Sequence, residues 1–325
     1  MPASPGPPRY QAAAPLPEIL LHVATISVEG RPLTAVVVAI TGGARGIGLA
    51  TATEFVARGA AVAIGDVDEP PAVTAAQQLG PNATGFALDV TDRGSFATFI
   101  EATIQRYGRL DVLVNNAGIQ HIGAFVDESD AATDRQLAVN LHGVLTGTKL
   151  ALTHMYRHRR GHVVNIASVA GKVAAPGGAT YSATKQAVVG LGEARRGEPR
   201  DTGVRVSTVI PAIVATEMSD GLIAPRGVGP VDPAMVAKAI VRDVIRRRGH
   251  NIYVPARISA MTALMAVLPP RLRRAAERLL GSDNVLTNVD RSARGAYLSR
   301  TATTTGAVKL SKGRAVKLSK GNGAR

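Results

Sequence analysis

Short runs of apolar residues alternate along the chain with stretches of helical spacing from Thr34 onward. The first run, TAVVVAI (34–40), is rich in β-branched residues and predicts a strand buried on both faces. Further strands are predicted at 60–66, 86–90, 110–118, 161–168, 204–211 and 251–256. Helical spacing falls between them, at 47–59, 95–108, 130–158, 181–196 and 231–248. This alternation predicts an α/β fold with a doubly wound parallel sheet between two helical layers.

The two ends of the chain lack this alternation. Residues 1–33 are rich in proline and alanine, so we predict a loosely ordered N-terminal extension there. After the last predicted strand, an apolar run at 258–268 precedes a basic amphipathic helix at 269–281. The predicted organisation is therefore a single α/β domain, a C-terminal helical segment and a flexible basic tail, at 34–257, 258–300 and 301–325.

Charge is distributed unevenly over the 325 residues. Residues 1–235 carry 19 basic and 20 acidic side chains, whereas residues 236–325 carry 19 basic and 4 acidic ones. The net charge of +14 thus belongs to the C-terminal part, which could meet phosphates or form a solvated tail. Nucleic-acid binding is disfavoured, because aromatic residues make up only 3% of the chain and no recognition motif is present.

Several classes of site are excluded by composition. The chain has no cysteine, so it has no disulfide framework and no thiolate nucleophile. Spacings of His, Asp and Glu indicate no metal site. The chain also lacks an apolar run of about 18–20 residues and a secretory-signal pattern, which favours a cytoplasmic protein.

For residues 258–281 three roles stay open: peripheral contact with an anionic membrane, a cap over the substrate cleft, and outer packing.

A glycine-rich turn, TGGARGIG (41–48), lies between the first predicted strand and the first helix. Such a turn lets the backbone approach a pyrophosphate, which the free N–H groups of the helix N-terminus bind. Asp66 ends the second strand, where a carboxylate accepts ribose hydroxyls and repels a 2′-phosphate. Arg45, inside the turn, would attract that phosphate. We weigh Asp66 more heavily and predict NAD as the cofactor, with NADP less favoured.

The segment YSATK (181–185) places Tyr181 and Lys185 four residues apart, on one face of a helix. A free tyrosine has a pKa of about 10, too high for a general base near neutral pH. A nearby ammonium group and the positive nicotinamide of an oxidised cofactor both favour the phenolate. We therefore expect Lys185 to lower the pKa of Tyr181.

Taken together, these motifs resemble the short-chain dehydrogenase/reductase family over residues 35–257. The resemblance rests on the glycine pattern, on Asp89 and Val90, on NNAG at 115–118, and on the order Asn140, Ser168, Tyr181, Lys185. It implies a Rossmann-like fold and hydride transfer between a nicotinamide cofactor and an alcohol or ketone. The implied cofactor contacts are Gly42, Arg45, Gly46, Ile47, Gly48, Asp66, Asp89, Val90, Asn116, Ala117, Gly118, Tyr181, Lys185, Val214 and Thr216.

The resemblance also implies a role for each catalytic residue. In similar enzymes Tyr181 is the general acid or base, and Ser168 hydrogen-bonds the substrate oxygen. Lys185 also holds the nicotinamide ribose, and Asn140 anchors a water molecule that relays the proton. The alternative is a catalytically weak protein of the same fold that senses the cofactor or scaffolds a partner. Such proteins usually lose the tyrosine or the lysine, and this chain keeps both.

Two further expectations concern assembly and substrate. The helix after Lys185 continues as LGEARRGEPR (191–200), where the family commonly has apolar leucines. Since proline costs a helix interior about 3 kcal/mol, we predict a shortened or kinked helix ending near Arg196 and a weakened homo-oligomer. The predicted substrate loops, at 119–127, 169–180 and 212–235, are mostly apolar or small. They favour an apolar alcohol or ketone, such as a steroid, a retinoid or a long-chain lipid.

Overall fold

The computed structural model describes residues 32–198, 202–225, 227, 229–281, 285–290 and 292–303. Within these residues seven parallel strands form one sheet, in the order β3-β2-β1-β4-β5-β6-β7. The strands are β1 Val37–Thr41, β2 Ala61–Asp66, β3 Ala83–Ala87, β4 Val112–Asn115, β5 Gly161–Ile166, β6 Val204–Pro211 and β7 Asn251–Val254. The predicted doubly wound fold is confirmed. Most of the predicted N-terminal extension and of the basic tail lies outside the described residues.

Ten α-helices are described in the same part of the chain. They are α1 Gly46–Ala57, α2 Glu69–Leu79, α3 Arg93–Tyr107, α4 Asp130–Leu137, α5 Val144–Arg157, α6 Ala179–Gly197, α7 Pro233–Arg246, α8 Ile258–Val267, α9 Pro270–Leu280 and α10 Gly295–Thr303. The predicted helical stretch over 130–158 contains a π-helical turn, Ala138–Gly143, between α4 and α5. No described helix combines the length and the apolar character needed to span a bilayer.

Helix ends follow local chemistry. The carboxylate of Asp92 caps α3 by accepting a hydrogen bond of 2.7 Å from the Gly94 amide. Asp232 caps α7 in the same way, accepting from the Ala234 amide at 2.8 Å. α3 ends at Gly108, whose φ of +81° is the left-handed conformation that terminates many helices.

Alternate residues of the central strands pack on opposite faces of the sheet. Val38 and Ile40 of β1 lie in the core beneath α1, α2 and α7, and Ala39 lies in the core beneath α3 and α5. Because both faces are covered, every residue of β1 is buried, which explains its continuous apolar sequence. Removing each large side chain from water stabilises the fold by about 1.5–3 kcal/mol.

Helix α6 continues to Gly197, one residue beyond the predicted end; Pro199 lies outside the described residues. Its polar residues have partners. The Arg195 guanidinium lies 5.8 Å from the ring centroid of Tyr156, and Arg196 donates a 2.8 Å hydrogen bond to Asn251 Oδ1. These contacts accommodate Arg195, at a position where the resemblance leads one to expect a leucine, and its neighbour Arg196.

Candidate active site

A cavity of about 860 Å³ lies at the carboxyl ends of the strands. Gly42 follows β1, Asp66 ends β2, Asn116 follows β4, Ala167 follows β5 and Pro211 ends β6, and all five line this cavity. Ligands of open α/β sheets bind at this edge. The cavity is therefore placed where the fold allows a ligand to contact several strand ends at once.

The glycine turn forms one end of the cavity. Gly42 has φ +61°, and a Cβ atom there would lie 2.8 Å from the Ala117 Cα atom, so only glycine fits. The Asn116 side-chain amide donates to the carbonyl oxygens of Thr41 and Gly42 at 3.0 and 2.9 Å. The NNAG segment thus holds the turn. No side chain caps the N-terminus of α1, which leaves its amides available to an anion.

Next to the turn, Asp66 is buried at the end of β2. Its Oδ2 accepts a hydrogen bond from the Ala44 amide at 3.1 Å, and its Oδ1 accepts one from the Asp68 amide at 3.3 Å. The Arg45 guanidinium forms a 3.0 Å ion pair with Asp68. Arg45, which the sequence suggested as a phosphate ligand, is thus held by a neighbouring carboxylate.

Tyr181, Lys185 and Ser168 meet in the same cavity. Tyr181 and Lys185 lie on one face of α6, as the spacing predicted, and both are buried. The Lys185 Nζ atom donates a 3.0 Å hydrogen bond to the Ile166 carbonyl and lies 5.7 Å from the Tyr181 ring centroid. Ser168 follows β5, and its hydroxyl is hydrogen-bonded to Tyr181.

The acid–base properties of the pair differ from the sequence prediction. Burial raises the pKa of Tyr181 to about 12, although the hydrogen bond with Ser168 opposes this rise. Burial also lowers the pKa of Lys185 to about 8. Desolvation disfavours the charged form of each group, so it moves the two pKa values in opposite directions. The protein's own groups therefore do not give Tyr181 the lowered pKa that we expected from Lys185.

Asn140 lies in the π-helical turn and is fully buried. Its Nδ2 donates to the Ile119 carbonyl and its Oδ1 accepts from the Ile119 amide, both at 2.8 Å. Nδ2 also lies 3.3 Å from the hydroxyl of Thr184 on α6. Asn140 thus braces the segment after β4 against the helix that carries Tyr181. Single π-helical turns often occur at functional sites.

All but two of the predicted site residues line the cavity. The exceptions are Gly48 and Asn140, which are not among the lining residues. A Cβ atom on Gly48 would lie 2.7 Å from Asn116 Nδ2, so this glycine allows the turn to pack closely. The lining residues are Gly42, Arg45, Gly46, Ile47, Asp66, Asp89, Val90, Asn116, Ala117, Gly118, Ser168, Tyr181, Lys185, Val214 and Thr216.

Other lining residues carried no recognisable sequence signal. They come from the C-terminal segment and from the first predicted substrate loop. Composition alone suggested a cap over the cleft, through the apolar run at 258–268, but it pointed to no individual side chain. The main ones are Gln120, Ile258, Met261, Met265, Leu280, Val285, Leu286 and Tyr297.

A glycine turn before an uncapped helix, a carboxylate at the end of β2 and a buried tyrosine–lysine pair in one cleft are the features of a nucleotide-binding α/β oxidoreductase. A sequence model described as short chain dehydrogenase matches residues 36–226. The chain belongs to the short-chain dehydrogenase/reductase family.

Individual relatives agree with this assignment. Momilactone A synthase of Oryza sativa subsp. japonica is 38% identical over 197 residues, covering 60% of this chain and 72% of that protein. A 2-(S)-hydroxypropyl-CoM dehydrogenase of Xanthobacter autotrophicus, number 3, is 39% identical over 217 residues, covering 66% and 84%. The crystal structure of a family member from Burkholderia phymatum, in complex with NAD, superposes with a TM-score of 0.66 at 26% identity. That comparison covers 73% of this chain and 94% of the other.

Proposed function

We propose that the protein is an NAD-dependent oxidoreductase that interconverts an alcohol and a ketone, acting on the CH–OH group. The observation that carries this proposal is the meeting of Ser168, Tyr181 and Lys185 in one cleft. A glycine turn suited to pyrophosphate lies in the same cavity. The 2-(S)-hydroxypropyl-CoM dehydrogenase relative is named for an alcohol substrate, which supports the same class of reaction.

The residues present fit a nicotinamide dinucleotide. The uncapped N-terminus of α1 would hold the pyrophosphate, and Asp66 would accept hydrogen bonds from the adenosine ribose. Two observations support NAD over NADP: Asp66 is buried beside the turn, and Arg45 is paired with Asp68. The other predicted contacts line the cavity beyond the turn.

The side chains of the protein transfer the proton in this reaction. When bound, the cofactor supplies or accepts the hydride. In reduction, the Tyr181 hydroxyl donates its proton to the carbonyl oxygen; in oxidation, it accepts the alcohol proton. Ser168 donates a hydrogen bond to the same oxygen and stabilises its developing charge. The Lys185 ammonium stabilises the phenolate and holds the nicotinamide ribose, and Asn140 anchors the relay water.

The substrate end of the cavity supports an apolar substrate. Ala170, Val173 and Ala174 line it from the loop after β5, and Met261 and Met265 line it from α8. A steroid, a retinoid or a long-chain lipid would remove apolar surface from water at such a wall.

The proposed reaction is tested with a panel of alcohols and ketones, followed by nicotinamide absorbance with NAD and with NADP. We expect turnover with NAD, and a loss of about 100-fold or more in kcat for Tyr181→Phe. Tyr253→Phe, on β7 and outside the cavity lining, is the matched control and should keep full activity. Equal activity of Tyr181→Phe and wild type would overturn the mechanism. Tight NAD binding without turnover on any substrate would favour the cofactor-sensing alternative.

We propose the cytoplasmic location that the composition favours. We also propose that the protein contacts an anionic membrane peripherally, through α8 and α9. Leu264, Val267, Leu272 and Leu279 are 56%, 77%, 58% and 72% exposed, and four arginines lie on α9. Apolar side chains beside basic ones are the combination that binds an anionic lipid surface. Flotation with anionic liposomes should recover wild type but not Leu272→Glu/Leu279→Glu. Val126→Glu, which changes another exposed apolar residue, should float like wild type. Equal flotation of all three would contradict membrane contact.

Finally, we propose that self-association is weak, since polar residues replace apolar ones at 191–200. Size-exclusion chromatography at micromolar concentration should show mainly monomer. A stable tetramer would contradict this proposal.

A further inference from the structure

The match to the family model ends at residue 226, whereas the cavity is also lined by residues that come later in the chain. We use the name C-terminal strap for residues 285–303, of which 285–290 and 292–303 are described. The strap includes α10 and contributes Val285, Leu286 and Tyr297 to the cavity lining. These three side chains are 8%, 4% and 3% exposed, so the strap is packed against the domain.

The strap is tied to the loop after β6. The Arg294 guanidinium donates to the carbonyl oxygens of Met218 and Asp220 at 2.7 and 3.3 Å. Arg294 directly precedes α10, and six residues later, within that helix, Arg300 forms an ion pair with Glu217. The guanidinium groups of both arginines also lie against the Tyr297 ring, 4.9 and 5.7 Å from its centroid. One side of the cavity is therefore fixed to the strap by polar contacts.

Tyr297 reaches the opposite side of the cavity. Its hydroxyl accepts a 2.7 Å hydrogen bond from the backbone N–H of Gln120. It also donates a longer one, of 3.3 Å, to the backbone carbonyl oxygen of Gln120. Gln120 follows the NNAG segment and itself lines the cavity. Tyr297 therefore joins the strap to the loop that follows β4.

A third loop leaves room for the strap. A Cβ atom on Gly178 would lie 2.5 Å from Leu286 Cδ1, and one on Gly177 would lie 2.6 Å from the Leu286 carbonyl oxygen. In the loop after β6, a Cβ atom on Gly221 would collide with the backbone of Asp290. Glycines thus occur where the strap crosses the loops, which indicates that the sequence of the domain accommodates it.

We propose that the C-terminal strap is a wall of the substrate site, with Leu286 and Tyr297 contacting the substrate. Leu286 lines the same cavity as the apolar side chains of Met261, Met265 and Leu280. The substrate it fits is a ketone or secondary alcohol whose reacting carbon bears an extended apolar chain or ring system. This inference rests on the proposed function, and it assigns the specificity of that site to residues outside the matched family region.

The test compares methyl ketones of increasing length, from about five to about eleven carbons, with saturating NADH. In wild type, kcat/KM should rise about fourfold for each methylene that the wall covers. In Leu286→Ala this rise should flatten through an increase in KM for the longer ketones. Leu286→Met should restore the rise. Tyr297→Phe should also weaken it, because the strap loses its bonds to Gln120.

Leu298→Ala is the matched control, since Leu298 lies on the same helix and is 42% exposed. It should behave as wild type. A general loss of structure would lower activity on all ketones alike, whereas the wall predicts a loss that grows with chain length. An identical chain-length slope in wild type and Leu286→Ala would overturn the proposal.

Thermal shifts separate this proposal from the proposed function. Long-chain alcohols added with NAD should raise the melting temperature of wild type more than that of Leu286→Ala. This difference without any turnover would contradict the proposed reaction and support the wall. Turnover of long ketones with equal shifts and equal slopes in both proteins would support the reaction and overturn the wall.

Discussion

At the scale of single residues, burial acts on Tyr181 and Lys185 in opposite directions. Tyr181, with a pKa of about 12, keeps its proton over the whole physiological range. Lys185, with a pKa of about 8, changes its charge within the range in which enzymes are assayed. The residue that titrates first is therefore the lysine and not the proposed proton donor.

This order of titration predicts the pH dependence of ketone reduction. Lys185 is charged below pH 8 and loses its ammonium charge as pH rises, which removes the group that stabilises the forming phenolate. We expect kcat/KM to be constant below pH 8 and to fall by up to about tenfold per pH unit above it. The pH–rate profile of Lys185→Arg should stay flat to higher pH, since arginine keeps its charge. A wild-type profile that is flat to pH 10 would contradict this assignment.

A second prediction concerns cofactor preference. Asp68→Ala removes the carboxylate that holds Arg45 and frees the guanidinium for a 2′-phosphate. We expect KM for NADP to fall about tenfold, equivalent to about 1.4 kcal/mol, while KM for NAD changes little. Steady-state kinetics with both cofactors measures this change. In Arg45→Ala/Asp68→Ala the gain should disappear; if it persists, Arg45 is not the phosphate ligand.

At the scale of elements, a buried polar network joins two strands to α7. Ser207 of β6 lies 2.7 Å from the His162 Nε2 atom of β5, and its hydroxyl also bonds the Asp243 carboxylate of α7. His250, just before β7, places its Nδ1 atom 2.7 Å from Asp243. Burial alone would raise the pKa of Asp243, but the bonds from His162 and Ser207 outweigh it and hold the pKa below its ordinary value.

A group with a lowered pKa stabilises the fold above its unfolded-state pKa of about 3.9, and this stabilisation is lost as pH falls through the folded-state pKa. We therefore expect Asp243→Asn to lower the free energy of unfolding by about 2 kcal/mol at pH 7. The difference from wild type should shrink below pH 4. Urea denaturation at pH 7 and below pH 4 measures this difference in the free energy of unfolding. Asp127→Asn, which changes an exposed carboxylate, is the control. A deficit that is equal at both pH values would rule out the charged form as its source.

Two glycines of α6 offer a matched pair. A Cβ atom on Gly192 would collide with the Thr208 hydroxyl, whereas one on Gly190 would meet nothing within 4 Å. Gly192→Ala should therefore lower the free energy of unfolding by about 1–3 kcal/mol. Gly190→Ala should raise it by about 0.5–1 kcal/mol, because alanine favours the helix. Thermal denaturation distinguishes the two; effects of the same sign would show that packing against β6 is not the cause.

Elements with a strong apolar pattern could be predicted from sequence, and those without one could not. β6 was predicted at 204–211 and extends over Val204–Pro211. Helix α2 was missed because its first turn contains Pro70 and Pro71, although proline is tolerated in a first helical turn. Helix α10 was not predicted as a separate helix, although most of it lies within the predicted helical segment 258–300. Its position is fixed by contacts with distant loops, such as that between Tyr297 and Gln120, which leave no local periodicity.

The candidate site likewise has features that could be predicted from sequence and features that could not. The turn, Ser168, Tyr181 and Lys185 could be located because their chemistry restricts the residue type and spacing. The partner that holds Arg45 and the burial that separates the pKa values of Tyr181 and Lys185 could not. Both depend on which groups the folded chain places side by side.

At the scale of the whole molecule, residues from Gly42 to Thr301 share a single cavity. A ligand that bridges them stabilises the entire fold by mass action. At a concentration about 100 times its Kd, NAD should stabilise the native state by about 2.7 kcal/mol and raise the melting temperature by several degrees. Gly42→Ala, in which the turn cannot form without strain, should show little or no shift. A full shift in that variant would place the pyrophosphate elsewhere.

The contact between Tyr297 and Gln120 joins positions 177 residues apart in the chain. Because a growing chain folds from its N-terminus, the ribosome completes the strands and the glycine turn long before it makes this helix. During synthesis the nascent protein thus has its dinucleotide-binding region before it has the full enclosure around its substrate. A stop codon late in the gene would therefore yield a chain that holds its cofactor beside an open cleft.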